Sequence, residues 1–229
     1  MTSAVRPVPT VVLISGRGTN LHAIIEAVRA QRLPLDIRAV ISNRADAPGL
    51  AYARDAGITT RVLEHGAFPD RRAFDAALQK LIDSFSPELI ALAGFMRILS
   101  PEFVEHYQGR MLNIHPSLLP AFPGLDTHQR ALSAGAREHG ASVHFVTADV
   151  DGGPVILQAR VPVLAHDTPQ SLAARVLEQE HVIYPRSLRW FAEGRLRLDS
   201  KDGKARALLD GRPIDPSGAY DAARENVVK

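Results

Sequence analysis

The feature that most constrains this chain is a regular alternation of short, β-branched apolar segments with longer amphipathic ones. Such alternation is typical of βαβ units around a parallel sheet. Strands are predicted at 10–15, 36–42, 59–63, 88–93 and 110–114, and helices at 19–29, 47–56, 70–85, from Ser100 onward for a short stretch, and from Thr168 to about Glu193. The pattern predicts an α/β fold: a doubly wound, mostly parallel twisted sheet with helices on both faces.

Two segments depart from this alternation. The extended segments 141–147 and 154–163 flank a short polar stretch and predict a β-hairpin. The connection 115–127 contains three prolines and is long for a simple turn, which is typical of functional loops.

The domain organisation follows from length. The chain has 229 residues, of which 45% are hydrophobic, enough for one sizeable core. We expect a disordered or frayed N-terminus at 1–9, one domain at 10–199, and a C-terminal extension at 200–229 with one or two edge strands and a polar tail.

Composition excludes several classes of function. There are 27 basic and 25 acidic residues, so no net charge favours nucleic acid or an anionic membrane. The absence of cysteine excludes disulfides and thiolate chemistry and fits a reducing cytoplasm. No apolar segment predicts a leader or a membrane span. We expect a cytoplasmic protein, either a monomer or a homodimer.

A glycine-containing loop, Gly16-Arg17-Gly18, joins the first strand to the first helix. Backbone N–H groups at a helix start favour anions such as phosphate. The dinucleotide pattern G-x-G-x-x-G would need glycine at Leu21, and the second strand leads to Asn43 instead of an acidic residue, so NAD binding is disfavoured. The loop itself fits a phosphate site and a tight turn equally well.

Asn113 and His115 lie two residues apart at the end of a predicted strand, so their side chains share one face. Ligands bind at this end of open α/β sheets. An amide beside an imidazole can stabilise an oxyanion and manage a proton, as acyl transfer requires. A pair of hydrogen-bonded polar residues at a sheet edge is the alternative.

Two acidic residues are also candidates. Asp151 begins an Asp-Gly-Gly-Pro stretch whose composition by itself indicates a turn. Glu180 follows Leu172 and Val176 at intervals of four, so it continues an apolar helix face where a carboxylate needs a partner. The alternative for Glu180 is a side chain that reaches water from the edge of this face.

The nine histidines form none of the usual metal-binding motifs. We therefore expect no metal.

These candidates belong to a longer pattern in five segments: 13–20 (LISGRGTN), 93–101 (AGFMRILSP), 112–120 (LNIHPSLLP), 142–146 (SVHFV) and 151–158 (DGGPVILQ). Together they resemble the folate-dependent formyltransferases that act on glycinamide ribonucleotide in purine biosynthesis. The resemblance implies a Rossmann-like formyltransferase fold, 10-formyltetrahydrofolate as co-substrate, and a cis peptide at Leu119-Pro120.

The resemblance also implies site residues. The catalytic residues are Asn113, His115 and Asp151. The ribonucleotide site comprises Gly18, Thr19, Asn20, Leu177, Glu178, Gln179 and Glu180. The folate site comprises Arg71, Met96, Arg97, Ile98, Leu99, Asn113, Thr147, Ala148, Asp149, Val150 and Asp151, with apolar support from Leu92, Phe103, Val104, Met111 and Val146. His128 matches a further site histidine.

In the implied mechanism, Asn113 and a protonated His115 hold the oxyanion, and Asp151 or a water that it holds takes the proton of the amine. Two positions depart from the bacterial pattern: Asp126 replaces a frequent histidine, and Arg17 replaces asparagine and adds a cation near the phosphate loop.

Three other functions are alternatives for this chain. Methionyl-tRNA formyltransferases share the catalytic residues but add a large C-terminal RNA-binding domain, which is not expected in the segment after Gly194. Formyltetrahydrofolate hydrolases carry an extra N-terminal domain, whereas the first strand here is predicted from Thr10. A nucleotide-sensing module without chemistry would not explain the three polar residues.

Overall fold

A seven-stranded sheet forms the centre of the computed structural model, which describes residues 6–200 and 204–215. Its strand order is β3-β2-β1-β4-β5-β6-β7. The strands are β1 (Val8–Ile14), β2 (Leu35–Ser42), β3 (Thr60–Val62), β4 (Leu89–Leu92), β5 (Met111–His115), β6 (Glu138–Phe145) and β7 (Val155–Pro162). The first five are parallel, while β6 runs antiparallel to both β5 and β7. The predicted mostly parallel sheet and the hairpin are confirmed.

Six α-helices occur among the described residues: α1 (Thr19–Arg29), α2 (Gly49–Asp55), α3 (Arg71–Asp83), α4 (Pro101–His106), α5 (Thr127–Ser133) and α6 (Pro169–Ala192). Side chains of α1, α2 and α6 pack in one hydrophobic cluster, and those of α3 and α4 pack in a second. The sheet contributes to both clusters, so helices cover both faces, as the doubly wound pattern predicts.

Capping side chains explain where several helices begin. Asp70 accepts a hydrogen bond from Ala73 N at the start of α3, and Ser100 caps α4. Thr168 and Ser171 form a capping box at the start of α6. These polar residues were visible in the sequence, and the predicted starts agree with the structure to within one residue.

Helix α5 was not predicted. Its N-cap residue, Asp126, has a left-handed backbone and makes no side-chain capping bond. The hydroxyl of Thr127 donates to Pro116 O instead. With only seven residues and no capping bond, this helix has few local sequence signals.

Other differences lie near the ends of the chain. Strand β1 begins at Val8, two residues earlier than predicted, because Val8 and Pro9 also pair with β2. The expectation of a frayed start over 1–9 is therefore wrong for these two residues. After Arg195, three strands, β8 (Leu196–Asp199), β9 (Arg206–Leu209) and β10 (Arg212–Pro213), pair with one another in a separate sheet. The expectation of one or two edge strands is therefore wrong, while the expected polar tail at 216–229 lies outside the described residues.

The peptide bond between Leu119 and Pro120 is cis, as the resemblance implies. Within 6–200 and 204–215, no helix combines the length and the apolar character needed to cross a lipid bilayer.

Candidate functional site

A cavity of about 890 Å³, here called the central cavity, opens at the carboxyl ends of β4 and β5. Its walls come from the segment after β4, the proline-rich connection after β5, and the loop between β6 and β7. The lining includes every residue predicted for the folate site: Arg71, Met96, Arg97, Ile98, Leu99, Asn113, Thr147, Ala148, Asp149, Val150 and Asp151.

The residues predicted as apolar support divide into two groups. Leu92, Val104 and Val146 line the central cavity. Phe103 and Met111 are buried in the hydrophobic cluster of α3 and α4. The wall of the cavity is thus continuous with a packed core.

Asn113 and His115 lie on β5 and both face the central cavity. The antiparallel register places His144 of β6 directly opposite Asn113. Asn113 Nδ2 lies 3.1 Å from His144 Nε2, and His144 Nδ1 lies 2.8 Å from Phe145 O. Because a carbonyl can only accept, Nδ1 is the donor and Nε2 accepts from the amide.

His144 therefore orients the amide of Asn113. Burial lowers the pKa of His144, which favours the neutral ring that this contact requires. One Nδ2 hydrogen of Asn113 is used here, and the second is available in the cavity. This role of His144 could not be predicted from the sequence, because it depends on the β5–β6 register.

His115 joins two acceptors. Its Nε2 lies 3.0 Å from Phe122 O, and its Nδ1 lies 3.4 Å from Asp151 Oδ2. The backbone φ of Phe122 is 54°, a left-handed value that bulky residues rarely adopt. A ring protonated on both nitrogens satisfies both contacts.

Asp151 lies at the centre of this polar group. Its Oδ2 accepts a hydrogen bond from Gly124 N at 2.8 Å, and its Oδ1 lies 3.7 Å from His144 Nε2. Its backbone is left-handed, with φ of 52°. A Cβ at Gly153 would lie 1.8 Å from Phe145 O, so the turn needs glycine there. The Asp-Gly-Gly-Pro stretch is thus a turn that also brings a carboxylate to two histidines.

A second pair of histidines adjoins this group. His128 lines the cavity, as does Asp126, and His128 Nδ1 lies 3.2 Å from His139 Nε2. His139 is fully buried, and burial lowers its pKa to about 4. Burial also lowers the pKa of His128, so both rings of the pair are neutral at neutral pH.

The predicted ribonucleotide residues lie in a different region, here called the anion loop: residues 16–20 with the facing turn 177–180 of α6. Asn20 Nδ2 donates to Glu180 Oε2 at 2.6 Å, which joins the start of α1 to α6. Burial raises the pKa of Glu180, while this hydrogen bond and the charge of Arg17 oppose the rise. Glu180 is thus a buried, partnered carboxylate and not one that reaches water.

Gly18 is the N-cap of α1, with φ of 73°. A Cβ at this position would lie 2.5 Å from Gly49 Cα in α2. Gly49 N also donates to Gly16 O at 3.0 Å. The loop is therefore a tight turn against α2 and also presents the start of an eleven-residue helix.

The remaining residues of the anion loop differ in exposure. Glu178 and Arg17 are exposed, and Thr19, Leu177 and Gln179 are half-buried. None of the anion loop residues lines the central cavity. The sequence thus predicted two groups that the structure keeps as two neighbouring regions.

Within the described residues, no group of three or more histidine, aspartate or glutamate side chains is arranged to hold a metal.

Comparisons with known proteins agree on one family. The family model described as "Formyl transferase" matches residues 9–188. The phosphoribosylglycinamide formyltransferase of Escherichia coli (strain K12) is 56% identical over 208 residues, covering 91% of this chain and 96% of that protein. The human trifunctional purine biosynthetic protein adenosine-3 is 47% identical over 84% of this chain and 19% of its own length.

Solved structures give the same result. The phosphoribosylglycinamide formyltransferase of Coxiella burnetii has a TM-score of 0.87 and 55% identity, and the match covers 93% of this chain and 99% of that one. The glycinamide ribonucleotide transformylase 1 of Symbiobacterium toebii has a TM-score of 0.85 and 47% identity.

Proposed function

The chain belongs to the formyl transferase family and is an enzyme, and we propose that it transfers the formyl group of 10-formyltetrahydrofolate to the amine of glycinamide ribonucleotide. The products are the N-formyl ribonucleotide and tetrahydrofolate, in purine biosynthesis. The observation that carries the proposal is the meeting of Asn113, His115 and Asp151 in one cavity beside the anion loop.

Attack of the amine nitrogen on the formyl carbon turns the carbonyl oxygen into an oxyanion in a tetrahedral intermediate. Asn113 has one amide hydrogen directed by His144 and a second that can donate to this oxygen. His115 Nδ1 is 3.4 Å from Asp151, longer than a strong hydrogen bond, so its proton is available to the oxyanion. Two oriented donors stabilise the charge only when it develops.

Asp151 has two tasks in this scheme. Its carboxylate lies against His115 and neutralises the charge of a protonated ring. It can also accept the proton that the amine loses after attack, directly or through a water. The C–N bond to the folate then breaks, the carbonyl re-forms, and the folate nitrogen takes up a proton. The scheme needs no metal and no covalent intermediate on the protein.

We assign the two substrates to the two regions. The central cavity has apolar walls with a few converging polar groups, which suits the ring system of a folate. Arg71 and Arg97 line it and can meet the glutamate carboxylates of the folate. The start of α1 in the anion loop suits the phosphate of the ribonucleotide, and Glu180 suits its hydroxyl groups.

We also propose a cytoplasmic location, which the lack of cysteine supports.

The test is an assay of the purified protein with 10-formyltetrahydrofolate, with and without glycinamide ribonucleotide. We expect loss of formyl folate only when the acceptor is present, with one formylated ribonucleotide formed for each tetrahydrofolate. Loss without the acceptor would indicate a hydrolase. Transfer to methionyl-tRNA but not to the ribonucleotide would assign the activity to the related RNA-modifying enzymes.

A further inference from the structure

One wall of the central cavity, segment 94–99, has no regular secondary structure. It joins β4 to α4 and carries four of the proposed folate contacts. Met96 and Ile98 point outward and are 66% and 56% exposed, whereas Phe95 and Leu99 are buried in the adjoining core. Two exposed apolar side chains on an irregular segment keep a useful position only if the backbone beneath them is held.

Backbone hydrogen bonds do not hold the middle of this segment. Residues 95–99, all of which the structure describes, form no backbone–backbone hydrogen bond. Gly94 O accepts from Ser15 N at 3.1 Å just before them. The segment is instead fixed by side chains from other elements at its two ends.

The first anchor is Ser15, which follows β1. Its hydroxyl accepts a hydrogen bond from Met96 N at 2.7 Å and donates one to Asn43 Oδ1 at 2.6 Å. Ser15 and Asn43 are both buried. The donation to Asn43 turns the oxygen lone pairs of Ser15 toward Met96 N, so the ends of β1 and β2 jointly set the start of the segment.

The second anchor is Asp75 on α3. Its Oδ2 accepts a hydrogen bond from Ser100 N at 2.6 Å, while its Oδ1 is buried and has no hydrogen-bond partner. Only 2% of Asp75 is exposed. The same helix carries Arg71 in the cavity wall and Phe74, whose ring lies 5.7 Å from the Arg97 guanidinium.

A buried carboxyl group that accepts only one hydrogen bond lowers the stability of the fold. Packing alone does not require such a group at Asp75. What it provides is an acceptor oxygen for a short hydrogen bond of 2.6 Å from the backbone at the end of the segment. The two anchors lie behind the cavity wall, and neither Ser15 nor Asp75 lines the cavity.

We propose that Ser15 and Asp75 are positioning residues for the folate co-substrate, which act through the backbone at Met96 and Ser100 to hold segment 94–99 in its binding conformation. The inference rests on the proposed function, because it takes a folate as the occupant of the cavity. Loss of either anchor lets the segment sample other conformations, so the folate must order it on binding. Ser15 directly precedes Gly16 of the anion loop, but the side chains of Ser15 and Asp75 form no hydrogen bond with the catalytic residues or with the anion loop. Their substitution should therefore spare the chemical step and the binding of the acceptor.

The experiment uses the full chain with Ser15→Ala, Asp75→Ala and Asp75→Asn. The matched control is Ser187→Ala, which removes an equally buried hydroxyl that donates to Ile183 O within α6. For each protein we would measure KM for both substrates, kcat, the thermal midpoint, and the affinity for tetrahydrofolate by calorimetry.

We expect Ser15→Ala and Asp75→Ala to raise KM for 10-formyltetrahydrofolate and Kd for tetrahydrofolate by about 5- to 10-fold, the range set by one lost hydrogen bond. KM for the ribonucleotide and kcat should stay within about 2-fold, a split that local positioning predicts. Asp75→Asn keeps an acceptor oxygen and should recover most of the folate affinity. Ser187→Ala should lower the thermal midpoint without changing either KM.

Unchanged folate constants in variants that are merely less stable would overturn the proposal. So would equal weakening of both substrates, or failure of Asp75→Asn to recover affinity. The calorimetric measurement separates this inference from the proposed function. A wild-type protein that binds tetrahydrofolate without formylating the ribonucleotide would refute the activity, and the anchors could still be judged from the Kd values.

Discussion

The central cavity and the anion loop differ in how the fold constructs them. Much of the cavity wall comes from irregular segments, and side chains fix both this wall and the polar group of the cavity. The anion loop is made of backbone: a glycine N-cap, a helix start and the close approach of α2, with one side-chain pair joining it to α6. Loss of a single functional group should therefore impair the cavity. The anion loop should instead be disrupted by atoms added against its backbone.

The largest expected effect tests the first half of this comparison. Asp151→Asn should lower kcat by about 10³-fold or more, because the variant loses both the charge beside His115 and the acceptor for the amine proton. Asparagine tolerates the left-handed backbone at this position and keeps an oxygen for Gly124 N, so folding should be preserved. Steady-state kinetics with calorimetry of tetrahydrofolate measures both effects.

The contrast is with Glu180→Gln in the anion loop, which retains the partner of Asn20 and should act on KM for the ribonucleotide instead of kcat. A variant Asp151→Asn that kept kcat but lost folate affinity would reverse the assignment of Asp151 from chemistry to binding.

The second expected effect tests the sensitivity of the anion loop to space. Gly18→Ala should destabilise the fold by about 2–4 kcal/mol, from a positive φ together with a Cβ against Gly49 Cα. Gly57→Ala is the matched control: its φ is 71° and its Cβ would meet nothing within 4 Å, so only strain of about 1 kcal/mol is expected. Urea unfolding of both variants isolates the contribution of the close contact. Equal losses in the free energy of unfolding would show that this contact does not destabilise the fold.

The overall architecture and the family could be predicted from the sequence. The alternation of strands and helices determined the sheet, and the predictions of a formyltransferase, of the cis Leu119-Pro120 bond and of a hairpin before the long helix are confirmed. Each of these depends on local patterns or on matched motifs. The roles proposed for the individual site residues stay predictions.

What the sequence could not predict depends on contacts between distant segments. The bond from His144 to Asn113 requires the register of β5 against β6. The anchors Ser15 and Asp75 lie 81 and 25 residues from the backbone groups that they hold. The small terminal sheet requires three strands to pair apart from the main one. No periodicity within a single segment encodes such pairings.

A third prediction concerns the stability of the fold at acid pH. His139, beside the central cavity, and Glu180, in the anion loop, should change this stability in opposite directions. Burial lowers the pKa of His139 to about 4, against about 6.5 in an unfolded chain. Below pH 6.5 the unfolded state binds a proton that the folded state does not, so stability is lost as the pH falls from about 6.5 to 4. The raised pKa of Glu180 has the opposite sign, since protonation relieves a buried charge.

Urea unfolding at pH 7 and at pH 5 should show that the free energy of unfolding falls by about 2 kcal/mol because of His139. The variant His139→Gln should flatten this dependence, whereas His166→Gln, at an exposed position, should leave it intact. Parallel pH curves for the wild type and His139→Gln would show that another group dominates the acid response.

The smallest expected effect concerns Arg17, the anion-loop residue at which the family resemblance implies a departure from the bacterial pattern. Arg17 is exposed, and its charge is near enough to oppose the rise in the pKa of Glu180. A phosphate bound at the start of α1 would therefore lie within the field of this guanidinium. Because the side chain is in solvent, the attraction is screened by salt and is worth well under ~1 kcal/mol. Arg17→Asn should raise KM for the ribonucleotide by about 3-fold at low salt and by much less at ~0.5 M salt, with KM for the folate unchanged.

Arg54→Asn, at an exposed position on α2, serves as the control for a general change in surface charge. If both variants show the same salt dependence, Arg17 contributes only to the overall charge. A salt-sensitive effect confined to Arg17 and the ribonucleotide would show that this chain adds a side-chain cation to an anion site otherwise made of backbone.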